Sequence, residues 1–325
     1  MANYTGPDNV RQRYAETINQ LACQRSQQQF QILAPFVPLL RDIIRVEENV
    51  EAVLDACYAL DHLLDAGDPA SVDCMLDQEI VPVLVHRLDD AKISVAAEAL
   101  VTLTIIAECC SSSQVLEMEP VIRHLDRFIV GGPDSRPNKK LLSQAVVCLS
   151  RICEGGDQSL QQITDHAPRL LPALMNIVNT DVRGQPAQRS TAESAALALA
   201  QAVQNANLQQ LGYFVEIKMY PFAFQLLDIF EDNLLIVEDA LKAITTMVHK
   251  LESIRRVQDR AAQRDDFDVP EAWGFVLRWT RGPRAVVSAE ERKDLLEIAG
   301  FARGLLEIAR QRDLLPEELM RQLSG

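Results

Sequence analysis

Apolar residues recur along most of this chain with the spacing of amphipathic helices, and residues 74–108 show the pattern in its simplest form. A short helix runs to Asp77, the chain turns at Glu79, and a second helix carries Pro82 in its first turn, where a missing N–H costs nothing. A third helix follows the break at 89–90. The two longer helices each have an apolar face: Val81, Leu84, Val85 and Leu88 on the second, and Ala96, Ala99, Leu100, Leu103, Ile106 and Ala107 on the third. A unit this thin cannot bury both faces alone, so the pattern predicts copies stacked on either side.

The same unit recurs from Leu33 to Leu251, and two sets of landmarks follow one period. The prolines that open the second helices are Pro38, Pro82, Pro120, Pro172 and Pro221. Equivalent positions on the third helices are separated by 43, 46, 50 and 45 residues and are Tyr58, Val101, Val147, Leu197 and Lys242. The two longest separations contain polar loop insertions, at 131–140 and 179–190. Since three-helix repeats of roughly 40–47 residues are typical of armadillo and HEAT proteins, the sequence predicts an all-α, right-handed superhelical solenoid of about six three-helix repeats.

Three regions follow from this period. Residues 1–32 are predicted to form an N-terminal capping helix, with an apolar side made of Tyr14, Ile18, Leu21 and Ala22. Residues 33–251 hold repeats one to five. Residues 252–325 begin with a highly charged linker or helix end and continue into a degenerate repeat that caps the stack. Its predicted features are Trp273 and Trp279 in the core, and a capping box of Ser288 and Glu291 before a helix from Ala289 to Gln311.

Composition restricts the class of partner and the compartment. A net charge of −14 over 325 residues disfavours direct nucleic-acid binding and favours a basic segment of another protein. No apolar run reaches the roughly 18 residues of a membrane span, and the N-terminal residues lack the apolar run of a secretory signal. The seven cysteines fall mostly on apolar helix faces, which favours buried thiols in a reducing compartment. We therefore expect an intracellular protein, in the cytoplasm, the nucleus or both.

Three stretches resemble the armadillo repeats of the importin alpha family: IVPVLVHRL at 80–88, ACYALDHLLDAG at 56–67, and the whole of 213–251. The second helix of that family reads I-x-A-G-x-V-P-x-L-V-x-L-L, and the third reads A-x-W-A-L-S-N-I. The resemblance covers Leu33 to Leu251 and implies an armadillo fold. It also implies a transport adaptor that holds extended basic peptides in a concave groove lined by the third helices.

The residues that perform this binding in the family differ in the present chain. The positions of the family's tryptophans are occupied by Tyr58, Val101, Val147, Leu197 and Lys242, and those of its asparagines by His62, Ile105, Arg151, Gln201 and Thr246. No repeat keeps the pair, so little cation–π attraction for Lys or Arg stems is expected. The first thirty residues contain no lysine, unlike the family's basic importin-beta-binding segment. The usual mode of cargo recognition is therefore predicted to be lost.

The groove positions themselves remain candidates for binding a partner. On each third helix, positions i, i+3, i+4 and i+7 from the tryptophan place are predicted to face the groove: Tyr58, Asp61, His62, Asp65, Val101, Thr104, Ile105, Glu108, Val147, Ser150, Arg151 and Glu154, with Leu197, Gln201, Lys242 and Thr246 further along. Acids outnumber bases in the first half, and the middle is apolar, which indicates a surface that a partner covers. The alternative is a register shifted by one residue, which would place these side chains in the core.

No constellation supports catalysis, and no cofactor or metal is expected. The five histidines fall in separate repeats, and no phosphate-binding glycine loop or zinc motif is present. Three functions remain open. The favoured one is a scaffold that binds a peptide or helix of a dedicated protein partner. The alternatives are a transport adaptor that binds basic cargo through Asp61, Asp65, Glu108 and Glu154, and an armadillo co-chaperone or regulator that grips a folded client.

Overall fold

The computed structural model describes residues 7–23, 27–64, 69–110, 114–131, 138–257, 276–277, 280, 289–311, 315 and 320. Within this part of the chain the secondary structure is helical, with no strand. The α-helices are α1 Pro7–Ala22, α2 Gln27–Leu33, α3 Val37–Val46, α4 Val50–Leu64, α5 Pro69–Asp77, α6 Ile80–Arg87, α7 Ile93–Cys109, α8 Glu119–Ile129, α9 Lys139–Glu154, α10 Asp157–His166, α11 Leu170–Asp181, α12 Pro186–Asn205, α13 Leu208–Glu216, α14 Met219–Ile229, α15 Leu234–Val257 and α16 Ala289–Gln311. Two short 3-10 helices, Ala34–Phe36 and Gln114–Met118, precede α3 and α8. The chain forms two compact units, Met1–Leu170 and Leu171–Gly325.

In the first unit, like helices of successive repeats pack on one another. The third helices lie side by side in the order α1, α4, α7 and α9, and the second helices in the order α3, α6 and α8. α1 takes the place of a third helix of a preceding repeat, and it buries Ala15, Ile18 and Ala22. Tyr14 and Leu21, predicted on the same apolar side, are 53% and 48% exposed. The predicted apolar side of α1 is therefore correct for Ile18 and Ala22 and wrong for Tyr14 and Leu21.

The second unit repeats this arrangement. α12 packs on α15, α15 packs on α16, and α13 and α14 pack on α15. α16 buries an apolar face made of Ile298, Ala299, Ala302, Leu306 and Ala309. α16 thus contacts α15 as a sixth third helix. The predicted tryptophan core and capping box, at Trp273, Trp279 and Ser288, lie outside the described residues.

The joint between the first and second helices differs among repeats. The chain turns at Glu79, as predicted, and Glu79 has a left-handed backbone with φ of 54°. Lys218 takes the equivalent place in repeat five, with φ of 60°. Both residues stand where the importin alpha pattern has glycine. A side chain with a Cβ is strained in this conformation, so these two joints carry a local cost that glycine would avoid.

In the first unit, arginines on the second helices donate hydrogen bonds to carbonyl oxygens of the preceding repeat. Arg87 donates hydrogen bonds to the carbonyl oxygen of Ile44 and, at 2.6 Å, to that of Glu47. Arg127 bonds the carbonyl of Leu88 at 3.5 Å and also the carboxylate of Asp89. These guanidinium groups lie at the C-terminal ends of the preceding second helices, where free carbonyls and the helix dipole favour positive charge.

The joint residues give a stability test. Replacing Glu79 or Lys218 with glycine should raise the free energy of unfolding by about 0.5–1 kcal/mol, because removal of the Cβ strain outweighs the extra entropy of the unfolded chain. The measurement is the urea midpoint of each variant. Glu79→Ala, which keeps a Cβ, should gain nothing. Gln225→Gly, in the interior of α14, should lose about 1 kcal/mol. Equal losses in all the glycine variants would contradict strain at the joints.

Candidate partner-binding face

The third helices of the first unit leave one side partly exposed, and we call this side the third-helix face. It carries Tyr58 and His62 on α4, Val101 and Ile105 on α7, and Val147 and Arg151 on α9. Tyr58 is 40% exposed, and the other five are half-buried. Because the three helices pack side by side, the residues at equivalent positions form rows across them. The rows place three aliphatic side chains, Val101, Ile105 and Val147, together in the centre.

The predicted i+3 positions are not on this face. Asp61, Thr104 and Ser150 are only 8%, 8% and 7% exposed. In an α-helix, position i+3 lies about 60° to one side of position i, while i+4 lies about 40° to the other side. The side chain of Thr104 is directed toward the neighbouring third helix, within hydrogen-bonding reach of Cys148 on α9. Its hydroxyl also donates to the carbonyl oxygen of Leu100 at 2.7 Å. The i+3 residues therefore fill helix contacts and do not line a groove.

The predicted i+7 positions lie at one end of the face. Glu108 and Glu154 are exposed. Arg151 Nε lies 3.4 Å from Glu108 Oε2, and its Nη1 lies 3.0 Å from Glu154 Oε1. The charge of Arg151 is therefore balanced by two carboxylates, one on its own helix and one on α7. Asp65, the equivalent residue of α4, lies outside the described residues.

The other end of the face holds acidic residues that the sequence analysis did not select. Glu51 and Asp55 on α4 and Glu98 on α7 occupy positions three and seven residues before the row of Tyr58 and Val101. Glu51 accepts a hydrogen bond of 2.8 Å from Gln12, and Asp55 accepts one of 3.3 Å from Asn19. Extending the helical spacing backwards from the tryptophan places, as well as forwards, would have found all three acids.

Burial and mutual repulsion shape the charge at this end. Partial burial raises the pKa of Asp55, and the neighbouring carboxylates of Glu16 and Glu51 add to the increase. Burial likewise raises the pKa of Glu98, against the opposing influence of Lys140 and of a hydrogen bond from Tyr58. Each carboxylate would be stabilised by an added positive charge. The acidic end, defined as Glu51, Asp55 and Glu98, is thus suited to contact a cation.

In the second unit, the predicted groove residues are also half-buried: Leu197, Gln201, Lys242 and Thr246. Lys242 forms ion pairs with Glu238 and, at 3.6 Å, with Asp239. Its Nζ lies 5.7 Å from the centre of the Phe301 ring on α16. The ammonium group of Lys242 therefore already lies over the Phe301 ring, where a ligand cation would otherwise bind. Its charge is balanced by the carboxylates of Glu238 and Asp239.

A metal site, a membrane-spanning helix and a reactive thiol each have structural requirements that can be compared with the described residues. No three His, Cys, Asp or Glu side chains among them are placed to bind a metal ion. No helix in the described ranges combines the length and apolar character required to cross a bilayer. The thiols of Cys57, Cys148 and Cys153 are buried, and burial raises their pKa, whereas Cys23 and Cys109 are exposed.

The chain matches the profile of no known protein family, and no curated protein is significantly similar to it in sequence. Among solved structures, it is similar to a designed armadillo repeat protein in complex with the peptide (KR)4, with a TM-score of 0.61 and 18% identity over 75% of this chain and 95% of that one. Computationally designed armadillo repeat proteins for modular peptide recognition give a TM-score of 0.61 and 16% identity, over 84% of this chain and 99% of theirs.

An engineered protein is similar over 90% of this chain and 74% of its own, with a TM-score of 0.59 and 16% identity. At these identities the likeness shows the fold alone. The chain has an all-α fold of armadillo type, which confirms the predicted fold class. The closer relation to importin alpha stays a prediction.

The hydrogen bond between Tyr58 and Glu98 can be tested by its effect on titration. This bond lowers the pKa of Glu98, so Tyr58→Phe should raise that pKa further, and the change can be followed by carbon NMR of the labelled carboxyl group. Tyr14→Phe, which changes an exposed tyrosine of α1, is the matched control and should have no effect. An unchanged Glu98 pKa in Tyr58→Phe would contradict the contact across α4 and α7.

Proposed function

We propose that this protein is a non-enzymatic, protein-binding repeat scaffold, and that its third-helix face binds a helix or extended segment of a protein partner. The observation that carries the proposal is the apolar centre of Val101, Ile105 and Val147, half-buried on the two adjacent helices α7 and α9 and bounded at both ends by carboxylates. The predicted location inside the cell, in the cytoplasm or nucleus, is part of the same proposal.

The apolar centre supports a partner because its three side chains are only half-buried and therefore keep part of their apolar surface in water. Half-exposed aliphatic residues grouped on one face are typical of interaction surfaces, whereas single exposed ones are ordinary. Burying such a centre releases about 25 cal/mol for each Å² of apolar surface removed from water. The contact therefore favours a ligand that presents its own apolar side chains at this point.

One end of the face favours positive charge on the ligand, whereas the carboxylates at the other end are already paired with Arg151. Glu51, Asp55 and Glu98 form one end, where Lys140 acts on Glu98. At the other end, Glu108 and Glu154 are already engaged by Arg151. The two ends therefore differ, and a ligand with Lys or Arg on one side of its apolar residues would be bound in one direction.

A transport adaptor for basic cargo is the second candidate, and the acidic end is the observation that favours it. The designed armadillo protein with its (KR)4 peptide is an example of the same fold holding a basic sequence. In the present chain, however, Val101 and Val147 stand at the tryptophan places. Recognition of a wholly basic segment would then rest on carboxylates alone. Such binding would be strongly weakened by salt.

The two candidates are separated by charge variants on the face. Peptides are selected from a displayed random library on the full chain, and their affinities are measured by fluorescence polarisation. Val101→Asp and Ile105→Asp should each weaken binding by roughly tenfold or more, because a charge would have to be desolvated against the apolar ligand residues. The control is Ile93→Asp, on the same helix but at its first residue, where the side chain is 47% exposed.

The expected ligand keeps most of its affinity between about 0.1 M and about 1 M salt. Thermal unfolding confirms that each variant is folded. Undiminished binding to both aspartate variants would overturn the apolar centre as the binding site. If binding were instead abolished by Asp55→Asn with Glu98→Gln and by high salt, the adaptor would replace the scaffold.

Acidification supplies a further test of the acidic end. For a selected peptide that carries Lys or Arg, affinity should fall as the pH is lowered from about 7 toward about 4, because protonation removes the carboxylate charge. The raised pKa values of Asp55 and Glu98 mean that this loss begins at a higher pH than for ordinary carboxylates. A variant with Asp55→Asn and Glu98→Gln should bind more weakly at neutral pH and show a flatter profile. Identical profiles would contradict a role for these two groups.

A further inference from the structure

The surface where α15 meets α16 in the second unit has a shallow apolar cavity of about 480 Å³, largely open to solvent. Its lining residues are Thr245, Gly300, Phe301, Gly304, Leu305 and Ile308. Two of them, Gly300 and Gly304, are one helical turn apart on α16, and both are exposed. The cavity is therefore a gap on the surface where two third helices meet.

Other contacts between third helices are filled at the equivalent place. The i+3 residue is buried on α4, α7, α9 and α12, at Asp61, Thr104, Ser150 and Ala200. Its equivalent on α15 is Thr245, which is only half-buried. The difference follows from α16, because the residues that line the gap opposite Thr245 include two glycines, which have no side chain. The contact between α15 and α16 is incompletely packed at this point.

The fold itself gives no reason for these glycines. A Cβ built on Gly300 or on Gly304 would meet no atom of the residues that the structure describes within 4 Å. Neither residue has the positive φ that would require glycine. Inside a helix, each costs roughly 0.5–1 kcal/mol relative to alanine. The chain thus keeps open space at a cost in helix stability, and the space lies beside the half-buried Lys242 and Thr246.

Two cations near the cavity are paired with carboxylates of their own helices. Lys242 pairs with Glu238 and Asp239, and its ammonium group already lies over the Phe301 ring. On α16, Arg310 pairs with Glu307 at 3.8 Å. A ligand cation would have to displace Lys242 from the ring. An uncharged apolar group would contact Phe301, Leu305 and Ile308 without breaking any of these pairs.

We propose that this cavity is a binding pocket for one bulky, uncharged side chain, Trp, Phe or Leu, on a segment of a partner protein. The volume lies within the range of roughly 300–1,000 Å³ that is usual for ligand pockets, and is sufficient for such a side chain together with the backbone that carries it. Aromatic side chains of this kind are typical anchors of protein interfaces. The pocket belongs to the second unit and does not depend on the acidic end or the apolar centre of the first.

The test uses amino-acid amides as probes and methyl NMR as the readout. N-acetyl-tryptophanamide and N-acetyl-leucinamide should produce saturable shifts of the methyl signals of Leu305 and Ile308 in the full chain. N-acetyl-lysinamide should not. Gly304→Leu should fill the pocket and weaken binding at least about tenfold. Arg303→Leu adds the same side chain at a neighbouring residue of α16 that does not line the pocket, and should leave binding unchanged.

A smaller substitution at the same residue provides a test that remains valid if Gly304→Leu does not fold. Gly304→Ala should raise the thermal midpoint, because alanine favours the helix and meets open space, and it should weaken the probes measurably. The proposal is overturned if the wild-type methyl signals do not respond to the apolar probes, or if Gly304→Leu binds them as the wild type does. Val101→Asp should leave the probe titration unchanged, so failure of the proposed function and failure of this pocket would be distinguishable.

Discussion

The side-by-side packing of third helices is the constraint on which the rest of the structure depends. Each repeat is one helix hairpin thick, so a third helix must bury one flank against its neighbour or leave it in water. Small residues make this contact close: Ala56 and Ala59 on α4, Ala99 on α7 and Ala145 on α9 are fully buried. The same contact removes the i+3 positions from solvent. What remains for a partner on α4, α7 and α9 is a narrow strip at i, i+4 and i+7, with its extension toward the start of each helix.

This constraint explains how the face can change its chemistry while the fold is kept. Side chains on the strip do little of the packing, so valine, leucine, tyrosine or lysine can stand at the tryptophan places of the importin alpha pattern. Where a charged residue replaces the tryptophan or the asparagine of that pattern, nearby carboxylates balance its charge. Arg151 is paired with Glu108 and Glu154, and Lys242 with Glu238 and Asp239. A face built in this way presents apolar surface and unbalanced carboxylates, and its cations are largely neutralised.

The repeats could be predicted from sequence because helix packing leaves a periodic record. Proline in the first turn of the second helix and the apolar spacing of the third helix both follow from local geometry. In the structure, Pro38, Pro82, Pro120, Pro172 and Pro221 each lie within the first three residues of a helix: α3, α6, α8, α11 and α14. The i+3 positions were misplaced because spacing along one helix does not say on which flank the neighbour lies. The acidic end lies three and seven residues before the tryptophan places, so helical spacing counted only toward the C-terminal end of each helix does not include it. The cavity beside Gly300 could not be found at all, since it depends on which residue of α15 faces each glycine.

Apart from the strained joints at Glu79 and Lys218, the places where this chain departs from the usual rules of stability fall mainly on the third helices. Burial raises the pKa of Asp55, Glu98 and Asp239, so each costs stability at neutral pH. For each of these carboxyl groups the pKa in the folded state exceeds the pKa in the unfolded state. The loss of folding stability is therefore complete above the folded-state pKa. It is removed as the pH falls toward the ordinary pKa, 3.8 for Asp and 4.5 for Glu. The half-exposed aliphatic centre and the two helix glycines are further costs on helices of the same class. On the second helices of the first unit, by contrast, Arg87 and Arg127 satisfy carbonyls and helix ends. Natural chains tend to accept local costs where a surface has a function, so this distribution is the reason to seek binding on the third helices and not elsewhere.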